Sequence, residues 1–207
     1  MEQKELDKII KLHEEWIVGN CDGKYVDFSN TDLSNTNLNG VNLNYINFNN
    51  ANLANANLSN TNLGFANLID TDLSNTDLSG ANLSYASLIG ANLSGANLVN
   101  SILSYANLSD AVLDNANLSG ATLNWVNWHE AKGLKVYEAQ LNSSRENAQL
   151  VYIPSLDLVT TGCWHNTWKA TKKRVEDVYK EYNTKIYRKY QLAFLYIENQ
   201  RAEDIGG

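Results

Sequence analysis

The chain has 207 residues, with 16 Lys or Arg against 23 Asp or Glu, a net charge of −7, one proline and two cysteines. That length suits one or two domains, and the acidic balance disfavours a nucleic-acid binder held by phosphate contacts. No apolar run approaches the roughly 18–20 residues needed to cross a bilayer, and the charged opening MEQKELDKIIKLHEEW lacks the apolar stretch of a signal peptide. The expected compartment is the cytoplasm, where Cys21 and Cys163 read as free thiols.

Residues 2–18 predict an amphipathic helix. Leu6, Ile9, Ile10, His13, Trp16 and Ile17 fall on one face, and Gly19 and Asn20 supply a stop signal. His13 has no second His, Cys or carboxylate placed to work with it, so it reads as a packing residue.

From Tyr25 to Trp128 the sequence runs in fives without an insertion. The third position is Phe28, Leu33, Leu38, Leu43 and Phe48, then Leu every fifth residue from Leu53 to Leu123, then Trp128. Two residues earlier stands a small or β-branched residue, and between them Asn or Asp in 17 of the 21 fives. A period of five fits neither a helix nor a strand, so each five is a repeating unit of a solenoid. A second period groups the units: Tyr25, Tyr45, Phe65, Tyr85, Tyr105 and Trp125 stand 20 residues apart, always at the fifth position. Four fives therefore make one coil, the aromatics form a ladder along one edge, and about five coils give a rod roughly 25 Å tall.

This pattern closely resembles the pentapeptide-repeat family, whose motif is A(D/N)LXX. The resemblance implies a right-handed quadrilateral β-helix. In it the large residue (Phe28, Leu33, Phe48, Leu68, Leu78, Leu88, Leu108, Trp128 among them) and the small residue two before it point inward. The leader LDKIIKLHEEW also resembles the segment ahead of the repeats in many bacterial members. The expected fold class is thus an all-β solenoid with an N-terminal capping helix (1–24), the β-helix (25–131) and a C-terminal α+β cap (132–207).

The 20-residue period lays out the sides. The ladder lies between the side centred on Leu43, Leu63, Leu83, Leu103 and Leu123 and the side centred on Phe48, Leu68, Leu88 and Leu108. Ile69, Ile89 and Ile102 extend an apolar strip around that corner. Such a strip exceeds what a monomer usually leaves bare. It is either covered by part of 134–207, satisfied by the rings stacking on each other, or a surface for a protein partner or a second copy. Candidate interaction residues are Tyr45, Phe65, Tyr85, Tyr105, Trp125, Ile69 and Ile89.

Charge is uneven: residues 25–131 carry eight acids and no Lys or Arg, while 132–207 are net +3. Asp32, Asp72 and Asp114 lie on one side, with Asp70 and Asp110 at its leading corner. Some family members mimic B-DNA and protect DNA gyrase, which makes these five an alternative surface. Duplex DNA of the rod's height would show about 15 charges against the eight here, and no loop interrupts the repeat.

Beyond Trp128 the pattern stops. Residues 134–149 suggest a short helix or linker, Leu150–Ile153 and Asp157–Gly162 a hairpin turning at Pro154–Leu156, and Thr167–Tyr182 and Lys185–Ala202 two helices. Cys163 and His165 are the one Cys/His pair close in sequence, without an orienting acid, and read as packing. The run Lys169, Lys172, Lys173, Arg174 with Lys180, Lys185, Arg188 and Lys189 reads as a solvated helix face. No catalytic residue, metal site or cofactor is expected. Ice binding is disfavoured because Thr31, Thr36, Thr61, Thr71 and Thr76 occupy inward positions. The expected function is a non-enzymatic scaffold for an unidentified protein partner, or for a homodimer.

Overall fold

The computed structural model describes residues 2–134, 137–140, 149–153, 158–161, 164–180 and 184–206. They fall into two compact units, Met1–Gly133 and Leu134–Gly207.

In the first unit, parallel bridges join Asp27 to Asn47, Asp32 to Asn52 and onward in steps of five to Val112 with Lys132, each spanning 20 residues. The repeat is therefore four-sided, and coil pairing reaches Lys132, one residue past the expected boundary. Each five offers its neighbours a fixed set of main-chain bonds. Leu53 N–H donates to the Asp72 carbonyl of the coil above (2.8 Å), Asn55 N–H donates to Ser74 (2.9 Å), and Asp72 N–H donates down to Ala51 (3.0 Å). Sides stay short because a corner arrives two residues after each central Leu.

The corner residue has a left-handed backbone, with φ between 53° and 64° where it is not glycine. Asn, Asp and Gly tolerate this conformation best, which explains their hold on the fifth position. At Gly90 a second reason applies, since a Cβ would stand 2.3 Å from Asp70 Oδ1 of the coil below. Just before the corner, the Asx side chain accepts from the main chain two residues on, as Asp72 Oδ1 does from Ser74 N–H (2.9 Å).

Inside, Phe28, Leu33, Phe48, Leu68, Leu78, Leu88, Leu108 and Trp128 are buried, and Ala51, Ala56, Ala66, Ala81, Ala91 and Ala96 fill the slots beside such residues. Thr36, Thr61, Thr71 and Thr76 are buried too. Their hydroxyls donate to main-chain carbonyls, as Thr61 does to Leu38 (2.7 Å) and Thr71 to Phe48 (2.8 Å). No inward polar group in these slots is stranded, as burial requires.

Helix α1 spans Gln3–Ile17 and lies on the open edge of the first coil. Leu6, Ile10 and His13 are its buried residues. Three of its side chains replace a missing coil. Gln3 Oε1 accepts from Asn37 N–H (2.9 Å) while its Nε2 donates to Asn37 C=O (2.8 Å), as a neighbouring strand would. Glu14 Oε1 accepts from Asn42 N–H (2.9 Å), and His13 Nε2 donates to Asn44 C=O (3.1 Å).

The second unit contains a four-stranded antiparallel sheet in sequential order: β1 (Tyr137–Gln140), β2 (Gln149–Ile153), β3 (Leu158–Thr161) and β4 (Trp164–Asn166). Helices α2 (Trp168–Tyr179) and α3 (Thr184–Gly206) follow. Ile153 pairs with Leu158 and Tyr152 with Val159, so β2 and β3 form the expected hairpin. The expected turn at Pro154–Leu156 lies outside the described residues, as does Cys163. Two expectations are corrected. Tyr137–Gln140 is a strand rather than a helix or linker, held by Tyr137 opposite Tyr152, and Trp164–Asn166 is a further strand. Thr167 caps α2 by accepting from Ala170 N–H. Tyr152, Val159, Val175, Ala193, Phe194 and Ile197 make a core of their own, flanked by Trp168, Tyr187 and Tyr190. No helix among the described residues is long and apolar enough to cross a membrane.

Candidate interaction surface

Five aromatic residues occupy the same corner of successive coils, all with left-handed backbones: Tyr45 (φ 64°), Phe65 (57°), Tyr85 (60°), Tyr105 (62°) and Trp125 (61°). A bulky residue there costs on the order of 1–2 kcal/mol relative to the right-handed region. What the rings gain in return is each other. Phe65 stacks on Tyr85 at 4.8 Å with planes 2° apart, Tyr85 on Tyr105 at 4.8 Å and 4°, and Tyr45 on Phe65 at 5.1 Å and 18°. The last step, Tyr105 to Trp125, widens to 6.2 Å.

This geometry decides what the ladder can offer. Interior ring faces are covered by the neighbouring rungs, so a sugar, base or cation cannot lie on them. What faces solvent is a wall of ring edges, and Tyr45, Phe65, Tyr85 and Tyr105 each remain about half exposed. Trp125, Ile69 and Ile89 are half-buried rather than fully presented. They flank the wall more than they form it. Ile102, exposed on the neighbouring side, belongs with it.

The ladder ends differently at its base. Tyr25 turns edge-on to Trp16 (5.1 Å) and to His13 (5.7 Å), and its hydroxyl donates to the Tyr45 carbonyl (3.4 Å). His13 is fully buried and stacks on Trp16 at 5.5 Å. Its Nε2 donates to Asn44 while its Nδ1 accepts from Val26 N–H (3.3 Å), which fixes one neutral tautomer. Burial pushes its pKa below the ordinary 6.5, against smaller opposing effects from the Asn44 bond and the Glu14 charge. The sequence assigned His13 to packing but could not show that both ring nitrogens are used.

The carboxylates have a structural explanation of their own. Asp32 and Asp72 sit in the slot that Asn fills elsewhere: each accepts from a Ser N–H two residues on and from the Asn amide of the coil above, Asn52 and Asn92 respectively. For Asp32 the Ser34 main-chain bond leads the effects that hold its pKa below the usual value. Asp32, Asp70, Asp110 and Asp114 are exposed and Asp72 is half-buried. On the second unit, Lys172 pairs with Glu198, Lys173 with Asp177 (3.9 Å) and Lys180 with Glu176 (2.7 Å), so much of the basic run is spent locally.

Among the described residues, no group of His, Cys, Asp and Glu is placed to hold a metal ion. The family model for pentapeptide repeats matches residues 19–40, 31–64, 61–98 and 91–127, in 8 copies. The chain belongs to the pentapeptide repeat family. Members of this family have the right-handed quadrilateral β-helix, in keeping with the 20-residue bridges. Among solved structures, the chain is similar to the pentapeptide repeat protein Rfr23 from the cyanobacterium Cyanothece 51142. They are 39% identical over 49% of this chain and 84% of that one, with a TM-score of 0.48. It is also similar to a pentapeptide repeat protein from the Arabidopsis thaliana thylakoid lumen (29% identity, 48% of this chain, 63% of that one, TM-score 0.30). QnrB1, a plasmid-mediated fluoroquinolone resistance protein, is 23% identical over 51% of this chain and 66% of its own, with a TM-score of 0.28. Comparison with curated proteins gave no match.

Proposed function

We propose that this pentapeptide repeat protein is a non-enzymatic interaction scaffold, a rigid solenoid whose aromatic corner receives a protein. The carrying observation is the cost of that corner. Every other corner from Asn30 to Glu130 uses Asn, Asp, Gly or Glu, while this one places half-exposed rings on left-handed backbone five times over. Residues held in strained conformations cluster where a function uses them, and aromatic residues anchor protein interfaces. In this reading α1 caps the first coil, since its side chains replace the bonds a further coil would make, and the second unit is the C-terminal α+β cap.

The alternative, a DNA mimic acting on a topoisomerase through Asp32, Asp70, Asp72, Asp110 and Asp114, takes second place. The rod carries eight acids in all, and Asp32 and Asp72 replace Asn in its ladder. The test is capture of a partner from host lysate by wild type and by a Phe65→Asn/Tyr85→Asn variant, at low and high salt. Asn is chosen because it already occupies this backbone conformation at Asn75 and Asn55. A partner retained at high salt and lost in the variant is the expected result. A topoisomerase subunit bound equally by both proteins and released by salt would overturn the aromatic-corner reading.

A further inference from the structure

The four sides of the rod differ in one respect beyond the ladder. The side built on Leu43, Leu63, Leu83, Leu103 and Leu123 reads VNLNY, TNLGF, ANLSY, SILSY and ATLNW, and carries no charged residue. Each of the other three bears carboxylates: Asp27, Asp70, Asp110 and Glu130 on the next side, Asp32, Asp72 and Asp114 on the third, Asp77 on the fourth. Residues 25–131 hold no Lys or Arg, and the coils' one cation is Lys132 at their very end, bridged to Val112 on the third side. Glu14 of α1, at the lower end of the uncharged side, is spent on Asn42 N–H.

The uncharged side is also inexpensive to dehydrate. Asn42, Asn62 and Asn82 are already paired along the rod, Asn62 Nδ2 to Asn42 Oδ1 (3.0 Å) and Asn82 Nδ2 to Asn62 Oδ1 (3.1 Å), while Asn124 Oδ1 is buried without a partner among the described residues. Above them Ile102 stands exposed in the slot an Asn would take, and the ring wall borders the whole length. Paired amides, an exposed isoleucine and aromatic edges without charge are the composition of an interface core.

We propose that two copies of this chain associate through the uncharged side and its aromatic corner. The proposal rests on the reading of that corner as an interface and names its occupant. Charge selects a second copy's same side: any other pairing of two rods brings unneutralised carboxylates to the contact, whereas this one leaves them on the outer faces. Period selects it too, because a second rod repeats at the same spacing as the 4.8–5.1 Å rungs from Tyr45 to Tyr105 and meets these four at once. Such a contact is isologous and closes on itself as a dimer. Five rungs at about 4.8 Å by one five-residue side cover roughly 400 Å², about half of what a standard interface buries per partner. The dimer therefore belongs to the weak, transient class.

The experiment is sedimentation velocity on the purified full chain over a wide concentration range, at low and high salt. It is run on wild type and on two variants matched in local structure. Ser84 lies on the uncharged side and Ser94 on the side carrying Asp32 and Asp72. Each is half-buried, and each bonds the Asx before it by N–H (3.1 Å) and hydroxyl (2.7 Å). Wild type is expected to dimerise more tightly as salt rises, because screening relieves repulsion between two chains of net charge −7. Ser84→Glu should lose at least about tenfold in affinity and Ser94→Glu stay within about twofold of wild type. A wild type monomeric throughout, equal loss in both variants, or a dimer weakened by salt, as contact between an acidic rod and a basic second unit would be, overturns the proposal. Because only purified chain is used, that failure leaves capture of another protein by the ladder to its own experiment.

Discussion

Asn75 and Tyr85 occupy equivalent corners of the same rod, with φ of 54° and 60°. Their main-chain N–H groups make the same bond to the coil above, to Ser94 and to Ser104 (2.9 and 3.0 Å). The backbone at a corner is thus imposed by the coil and not by the residue standing there. Ten residues round the coil the chain exchanges a small amide for a ring without changing its path. Inward slots behave in the opposite way, since Leu78 and its equivalents have a cavity of one shape to fill and no exit. The repeat constrains its inside tightly and leaves its corners free for another use.

The largest effect should come from breaking the constrained half of that comparison. Leu78 is fully buried, and Leu78→Lys would place an ammonium in the tube with no partner, a cost of several kcal/mol. Half or more of a typical domain's stability is then gone. Chemical denaturation should find the first unit unfolded or severely destabilised; a midpoint equal to wild type would remove the inward assignment.

A smaller effect is expected where the coil meets α1. The folded pKa of His13 lies below 6.5, its unfolded value. The unfolded chain therefore binds the proton more readily, and stability falls as pH drops through 6.5 toward the lower folded pKa. At neutral pH the contribution is intact. Protonation would put a hydrogen on Nδ1 against Val26 N–H and a charge beside Trp16 and Tyr25, with Glu14 the one acid that offsets it. Melting temperature should decline between pH 7 and 5, about, and His13→Gln should flatten that slope. A slope of undiminished size in the variant would assign the titration to another group.

Much of this is legible in the sequence, and the reason is physical. A tube lined by one large residue per side must repeat that residue at fixed spacing, so Phe28 to Trp128 announce both the period and the inward face. The aromatic period of 20 gave the coil length for the same reason. The second unit has no such redundancy. Tyr137–Gln140 is a strand because Gln149–Tyr152 pair with it across the sequence, Tyr137 with Tyr152 and Gln140 with Gln149, a cause outside the segment that four polar-mixed residues do not advertise. The site was half legible: periodicity placed Tyr45, Phe65, Tyr85 and Tyr105 together, but not that their faces would be closed and their edges open. Nor does sequence reveal that Gln3 stands in for a strand, because a lone Gln on a charged helix looks like solvent-facing surface.

The smallest expected effect is the most discriminating one. Tyr85→Asn removes two ring contacts, to Phe65 and Tyr105, worth about 0.5–1.5 kcal/mol each beyond area burial. It also relieves a non-glycine, non-Asx residue of its left-handed conformation, a gain on the order of 1 kcal/mol. These nearly offset each other, and denaturation should place the variant within about 1–2 kcal/mol of wild type, with the fold intact by circular dichroism. If the stack existed to hold the rod together, losing its central rung would instead destabilise the coils on either side by more than these contacts sum to. A near-neutral result would mean that the rings are not kept for stability, and that the strained corner is maintained for what it meets outside the rod.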